Sequence, residues 1–239
     1  MVGKRSIRSR LARLARWTGV FLVVAASAAT VGSWKAMGQR PSGERLARMQ
    51  RSPQWKDGRF VNPQPLVNDM LGAAAGALGS SPFTSPREPV QVGPLDPRSL
   101  QAPPASGLRV TWLGHSTFYL EIEGHRVLTD PVWSPRASPL SFVGPKRWYP
   151  PLIALQDLPR PDVVVISHDH YDHLDLGTIL QMKDWETTFV VPLGVGAHLE
   201  YWGIPASRVV ELDWWERTRV RDLEIAATPA RHASGRTFA

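Results

Sequence analysis

Residues 167–175 read SHDHYDHLD: three histidines and three aspartates in nine positions, directly after the apolar run Val163-Val164-Val165-Ile166. Groups this costly to bury need a partner of matching chemistry at the end of a buried strand. His168 and His170 are spaced i, i+2, so on an extended turn they face the same side. Asp172 and His173 follow at once, and a tight loop folds them toward a second point nearby. Imidazole and carboxylate are the donors zinc takes where thiolate is absent, and the chain has no cysteine. A solvated loop whose histidines cap a helix is the plainer alternative. It requires one histidine, not three with an aspartate at H-x-H-x-D-H spacing.

The elements that must position this loop are legible around it. The run 162–168 is continuously apolar, the pattern of a strand covered on both faces. The stretches 108–113, 117–123 and 125–131 are rich in β-branched and aromatic residues, and the turn at Gly124 suggests a meander. A helix is expected over 174–185, a strand over 187–193, a short helix over 194–203, and further strands over 208–212 and 222–230. Strand runs separated by helices imply an α/β sheet covered by helices. Upstream, 51–65 reads as a loop anchored by Trp55 and Phe60, 66–80 as a short helix, and the proline-rich 80–104 as an extended surface segment.

Composition narrows the functional classes. Without cysteine there are no disulfides, no thiol nucleophile, no thiolate metal site and no cysteine lipidation. The net charge of +7 sits almost wholly in Lys4, Arg5, Arg8, Arg10, Arg13 and Arg16; the remaining chain carries 22 basic and 21 acidic residues. A nucleic-acid face is therefore not expected. After the basic tail comes an uncharged stretch, 17–34, with a tryptophan at each end. Eighteen helical residues span about 27 Å, near the roughly 30 Å of a bilayer core. The expected organisation is a cytoplasmic tail (1–16), a transmembrane anchor (17–34), a Pro/Gly-rich extended segment (35–105) and a catalytic-type domain (106–239). That arrangement would be single-pass in the inner membrane with the domain on the periplasmic side. Ala26-Ser27-Ala28 also fits a signal-peptide cleavage pattern, and cleavage would instead release the domain to the periplasm.

SHDHYDHLD resembles the signature of the metallo-β-lactamase superfamily. WLGHST (112–117), LTDPVWSPRASPLSFVGPKRWYP (128–150), VELDWWE (210–216) and TPARHASGR (228–236) resemble, in that order, its branch of N-acylphosphatidylethanolamine-hydrolysing phospholipases D and their bacterial relatives. The resemblance covers about residues 40–239 and implies an αββα sandwich. It implies a first zinc on His168, His170 and His232, and a second zinc on Asp172 and His173, with Asp172 also a catalytic carboxylate. Asp130 would orient the histidine loop from behind; an aspartate opening the turn before Pro131 is the alternative. His115 would line the pocket, unless it is a turn histidine bonded to backbone. His125 and His198 have no role in the resemblance and are expected at the surface. Trp214 and Trp215 are expected in the core or pocket wall.

The implied activity is hydrolysis, by a metal-bound hydroxide, of phosphodiester bonds in a lipid or other small substrate. A lactonase or nuclease of the same superfamily is the alternative. Two departures qualify this. Where the mammalian lipid enzyme carries Gln-Tyr before its GPKR segment, this chain has Ser141-Phe142. The resemblance also calls for a later bridging aspartate and a later histidine, beyond Ala239. The expectation is thus five of seven ligands, an incomplete sandwich, one zinc or none, and a non-enzymatic fragment as the competing reading.

Overall fold

A computed structural model describes residues 3–65, 72 and 85–236. Six strands form one mixed sheet: β3 (Leu108–Gly114), β4 (Thr117–Ile122), β5 (His125–Thr129), β6 (Val163–Val165), β7 (Thr188–Pro192) and β8 (Val209–Leu212), in that spatial order. β3, β4 and β5 are the expected antiparallel meander, and β5 to β8 run parallel. Two further hairpins are separate: β1 (Trp55–Lys56) with β2 (Arg59–Phe60), and β9 (Arg217–Val220) with β10 (Leu223–Ala226). Helices are α1 (Gly3–Met37), α2 (Gly43–Gln50), α3 (Leu176–Gln181) and α4 (Gly196–Tyr201).

The valine run works as expected. Val163 and Val164 point to opposite faces and both are fully buried. On one face Val164 packs with Tyr119, Leu128, Phe189, Ile179, Leu199 and Trp202 under α3 and α4. On the other, Val127, Val163, Val190 and Leu212 meet Val220, Leu223 and Ile225 of the β9–β10 hairpin. The hairpin therefore starts a second layer over the sheet. Each fully buried aliphatic side chain here contributes about 1.5–3 kcal/mol. The result is an α/β fold around a mixed sheet.

Strands β5, β6 and β7 end one to three residues short of their sequence patterns, because the loops at their carboxyl ends begin early. The 51–65 loop contains the β1–β2 hairpin, and its two anchors pack edge to face at 5.1 Å. The helix expected over 66–80 lies outside the described residues apart from residue 72. Composition concealed α2, where Arg45 holds Glu200 at 2.5 Å and Glu211 at 3.1 Å.

The amino-terminal stretch, residues 17–34 included, is helical. Among the described residues, no helix is long and apolar enough to cross a membrane. At its far end the helix docks on protein, burying Ser33 and Ala36.

Candidate metal centre

The ligand loop occupies residues 166–175, at the carboxyl ends of the parallel strands, a favoured place for sites in such sheets. Its anchor is Asp130, one residue past β5 and 5% exposed. Asp130 has φ +38, a left-handed conformation that aspartate tolerates better than most residues. Its N–H donates to Val165 O at 2.9 Å, so it lies beside the end of β6. Its carboxylate accepts from Ser167 N and Ser167 Oγ, both at 2.7 Å, and from His173 Nδ1 at 2.9 Å. This aspartate joins the ends of two parallel strands to the loop.

The hydrogen-bond chain also sets tautomers. Ser167 Oγ gives its proton to Asp130 and so accepts from His168 Nδ1 at 3.0 Å, leaving His168 Nε2 bare. His173 donates Nδ1–H to Asp130, which frees Nε2. A ligand histidine held through its other nitrogen is the usual arrangement around a bound metal.

The loop ends in a helical turn, with His173 N and Leu174 N bonded to His170 O. Leu174 is fully buried as its plug. Asp175 caps α3 by accepting from Gly177 N and holds Ser134 N and Oγ at 3.0 and 2.8 Å.

Two donor clusters result. Ligand atoms of His168, His170 and His232 lie within 4.8 Å of one another, as do those of His115, Asp172 and His173. His168 Nε2 and His170 Nδ1 are 3.0 Å apart. Two nitrogens on one tetrahedral zinc would be roughly 3.3 Å apart, given Zn–N near 2.0–2.1 Å. The three-imidazole set therefore fits such an ion. In the second cluster Asp172 Oδ2 is 2.9 Å from His115 Nε2 and 3.5 Å from His173 Nε2. The clusters adjoin, with the His168 and His173 rings 4.0 Å apart.

Burial, reinforced by the neighbouring imidazoles, pushes His168 down to about 4. His170 is also lowered, chiefly by burial. At neutral pH these are uncharged donors, the form a metal requires. Burial works to lower His173 too, but its bond to Asp130 and the charges of Asp130 and Asp172 outweigh it and raise the group. Burial opposes ionisation of Asp172, yet His173 and His115 hold it below the usual carboxylate range.

Residues read from the sequence thus converge, with differences. His115, expected on the pocket wall, stands at φ +48 within hydrogen-bonding reach of Asp172. Ser141 and Phe142 are exposed, and among the described residues neither hydrogen-bonds to the clusters. His125 and His198, expected at the surface, are 7% and 9% exposed: the first faces Asp222 at 2.6 Å, the second Asp169 at 3.4 Å. Trp215, expected inside, is 71% exposed, because the chain turns back there at φ +71.

The sequence reading missed Asp169 and Arg236. Asp169 Oδ1 accepts from Ser234 Oγ and Gly235 N at 2.5 and 2.6 Å, tying the loop that bears His232 to the first two histidines. Arg236 Nη1 donates to Asp169 O and Leu174 O. The signal for Asp169 was present: a residue between two ligands at i and i+2 must point away from the metal and into whatever lies behind it.

The layered α/β architecture thus carries two adjoining His/Asp clusters at the strand ends whose donors could hold metal ions. Residues 125–239, just under half of the chain, match the beta-lactamase superfamily domain. It is 47% identical over 194 residues to an uncharacterized protein of Mycobacterium tuberculosis, covering 78% of this chain and 51% of that one. It is 42% identical over 140 residues to N-acyl-phosphatidylethanolamine-hydrolyzing phospholipase D 1 of Caenorhabditis elegans, covering 55% and 39%. A UPF0173 metal-dependent hydrolase of Methanopyrus kandleri is 33% identical over 128 residues, covering 53% and 48%. The chain spans about half the length of the first of these relatives.

Proposed function

We propose that this chain carries metal-binding clusters of a zinc-dependent hydrolase acting on phosphodiester bonds of phospholipid-like substrates. The observation that supports it most directly is the adjacency of the two clusters, an all-imidazole set beside a carboxylate-containing set. His168, His170 and His232 would hold one ion, and Asp172 and His173, with His115 in reach, a second. A metal bound there supplies Lewis acidity toward the scissile ester and makes water a competent nucleophile near neutral pH.

The protein's own contribution is orientation and proton placement. Asp130 keeps a proton on Nδ1 of His173 and, through Ser167, on Nδ1 of His168, so that both Nε2 lone pairs face the site. Asp172, held ionised, offers an acceptor to a proton leaving the attacking water. The phosphodiester preference is supported by the similarity to the worm phospholipase D; the exposed Ser141-Phe142 pair leaves the acyl portion of the substrate open.

The test is metal analysis followed by hydrolysis assays on the full-length protein with phosphodiester, lactone and RNA substrates. Chelation should abolish phosphodiester turnover and zinc should restore it. Turnover indifferent to chelator would sink the metal reading, and lactone or RNA turnover exceeding phosphodiester turnover would sink the substrate class.

A further inference from the structure

We propose that the carboxyl end of α1 and the turn that follows it form a positioning element of the metal centre, acting on the ligand loop through His198, Asp169 and Arg236. The proposal rests on the reading that His168, His170 and His232 hold a metal. It concerns residues 35–39, which precede the segment matching the superfamily domain.

Asp169 lies between the first two ligands, its side chain turned into the protein and the residue 8% exposed. One carboxylate oxygen holds the His232 loop through Ser234 and Gly235. The other faces His198 Nε2 at 3.4 Å. His198, on α4, accepts at Nδ1 from the backbone N–H of Gln39 at 3.0 Å. That bond places the ring proton on Nε2, the nitrogen facing Asp169. A backbone amide of the amino-terminal segment therefore sets the tautomer of the histidine that supports the ligand loop.

A second path runs in parallel. Arg236 is 6% exposed and donates from Nε to Ala36 O at 2.9 Å. Its Nη1 reaches Asp169 O and Leu174 O at 2.6 and 2.7 Å, the two flanks of the ligand turn. The guanidinium lies over Tyr171 at 4.1 Å and Trp202 at 5.1 Å. Trp202 in turn donates to Lys35 O at 2.8 Å. Backbone groups of Lys35, Ala36 and Gln39 thus converge on three side chains directly behind the ligands.

The fit depends on one glycine. Gly38 has φ +78, and a Cβ there would stand 2.0 Å from His198 Nδ1. Side-chain-bearing residues are disfavoured at that φ, and here the added atom would also meet the hinge of the relay.

Cobalt(II) titration tests the idea, because its visible spectrum reports ligand geometry as well as occupancy. Gly38→Ala should weaken cobalt binding by about 10- to 100-fold, the range for residues supporting metal ligands, and change the shape of the visible bands. His198→Asn keeps an acceptor for Gln39 but not the donor toward Asp169, and should do the same. His198→Gln, whose amide reaches the Nε2 position, should restore part of the affinity. Arg45→Gln loosens α2 without touching the relay and should leave the bands unchanged. If Gly38→Ala does not fold, His198→Asn and His198→Gln carry the test. Lower melting temperatures with unchanged cobalt affinity and bands in Gly38→Ala or His198→Asn overturn the proposal alone. A wild-type protein that binds no cobalt overturns the metal reading, and the proposal with it.

Discussion

The two donor clusters share a loop yet solve opposite electrostatic problems. The first is all imidazole; burial, reinforced by the neighbouring imidazoles, lowers His168 and His170, so both are uncharged at neutral pH. The second contains an acid, and its members satisfy one another: Asp172 is held ionised while His173 retains its proton more tightly. A cation entering the first cluster meets no proton on the lone pairs of His168 and His170 at neutral pH. At the second cluster, protonation of His173 competes with a cation up to a higher pH. Neighbouring sites in one loop can therefore differ in how metal affinity depends on pH, although both are built from histidine.

The largest effect that would break this contrast is loss of a first-cluster ligand. His168→Ala or His170→Ala should leave no metal on that cluster after gel filtration, as measured by elemental analysis, and hydrolysis should fall to background. Wild-type turnover in either variant would mean that the first cluster is not the catalytic one.

Asp130→Asn should blur the contrast, because Asp130 serves both clusters, through Ser167 to His168 and directly to His173. Affinity at each cluster should drop by about 10- to 100-fold by calorimetry. A drop confined to one would show that the serine link carries no orientation.

Proton titration sharpens the comparison. In metal-free protein, imidazole signals should place His168 at about 4 and His173 above its ordinary value. The linkage signs are opposite. Between the unfolded value near 6.5 and about 4, the unfolded chain binds a proton that folded His168 refuses, so this group costs stability as pH falls through that window. His173 contributes stability that is fully present below about 6.5 and is lost as pH rises through its raised value. Denaturant unfolding of His168→Gln and His173→Gln across pH 4 to 8 should show deviations from wild type of opposite sense. Deviations of the same sense would refute the assignment.

The smallest effect is expected at His115. Its side chain is 60% exposed, so its pairing with Asp172 is screened by solvent. His115→Ala should change stability by less than about 0.5 kcal/mol, raise Asp172, and leave the first cluster's metal affinity untouched. A loss of affinity at the first cluster would mean that the two sites are not separable.

Much of this centre was legible because its ligands are local. H-x-H-x-D-H behind an apolar run specifies a loop at a strand end by spacing alone, and Val163 and Val164 announce by their chemistry that both faces of that strand are covered. His232 came from a motif, since nothing in spacing links position 232 to position 168. The meander was readable from period-2 patterning and the Gly124 turn. Helix α2 was not, because a single turn pattern amid prolines and glycines carries little signal until Arg45 finds Glu200 and Glu211.

What the linear chain determined by itself is the inventory: which donors exist, that thiolates do not, and which strand presents the loop. Only the tertiary structure decided what stands behind each donor. His198 looked like a surface residue because its partners, Gln39 and Asp169, lie 159 and 29 positions away. Asp169 looked incidental because its role is to hold residues 234 and 235. Burial, tautomer and protonation depend on which groups long-range packing brings within about 3 Å, and sequence distance carries no information about that.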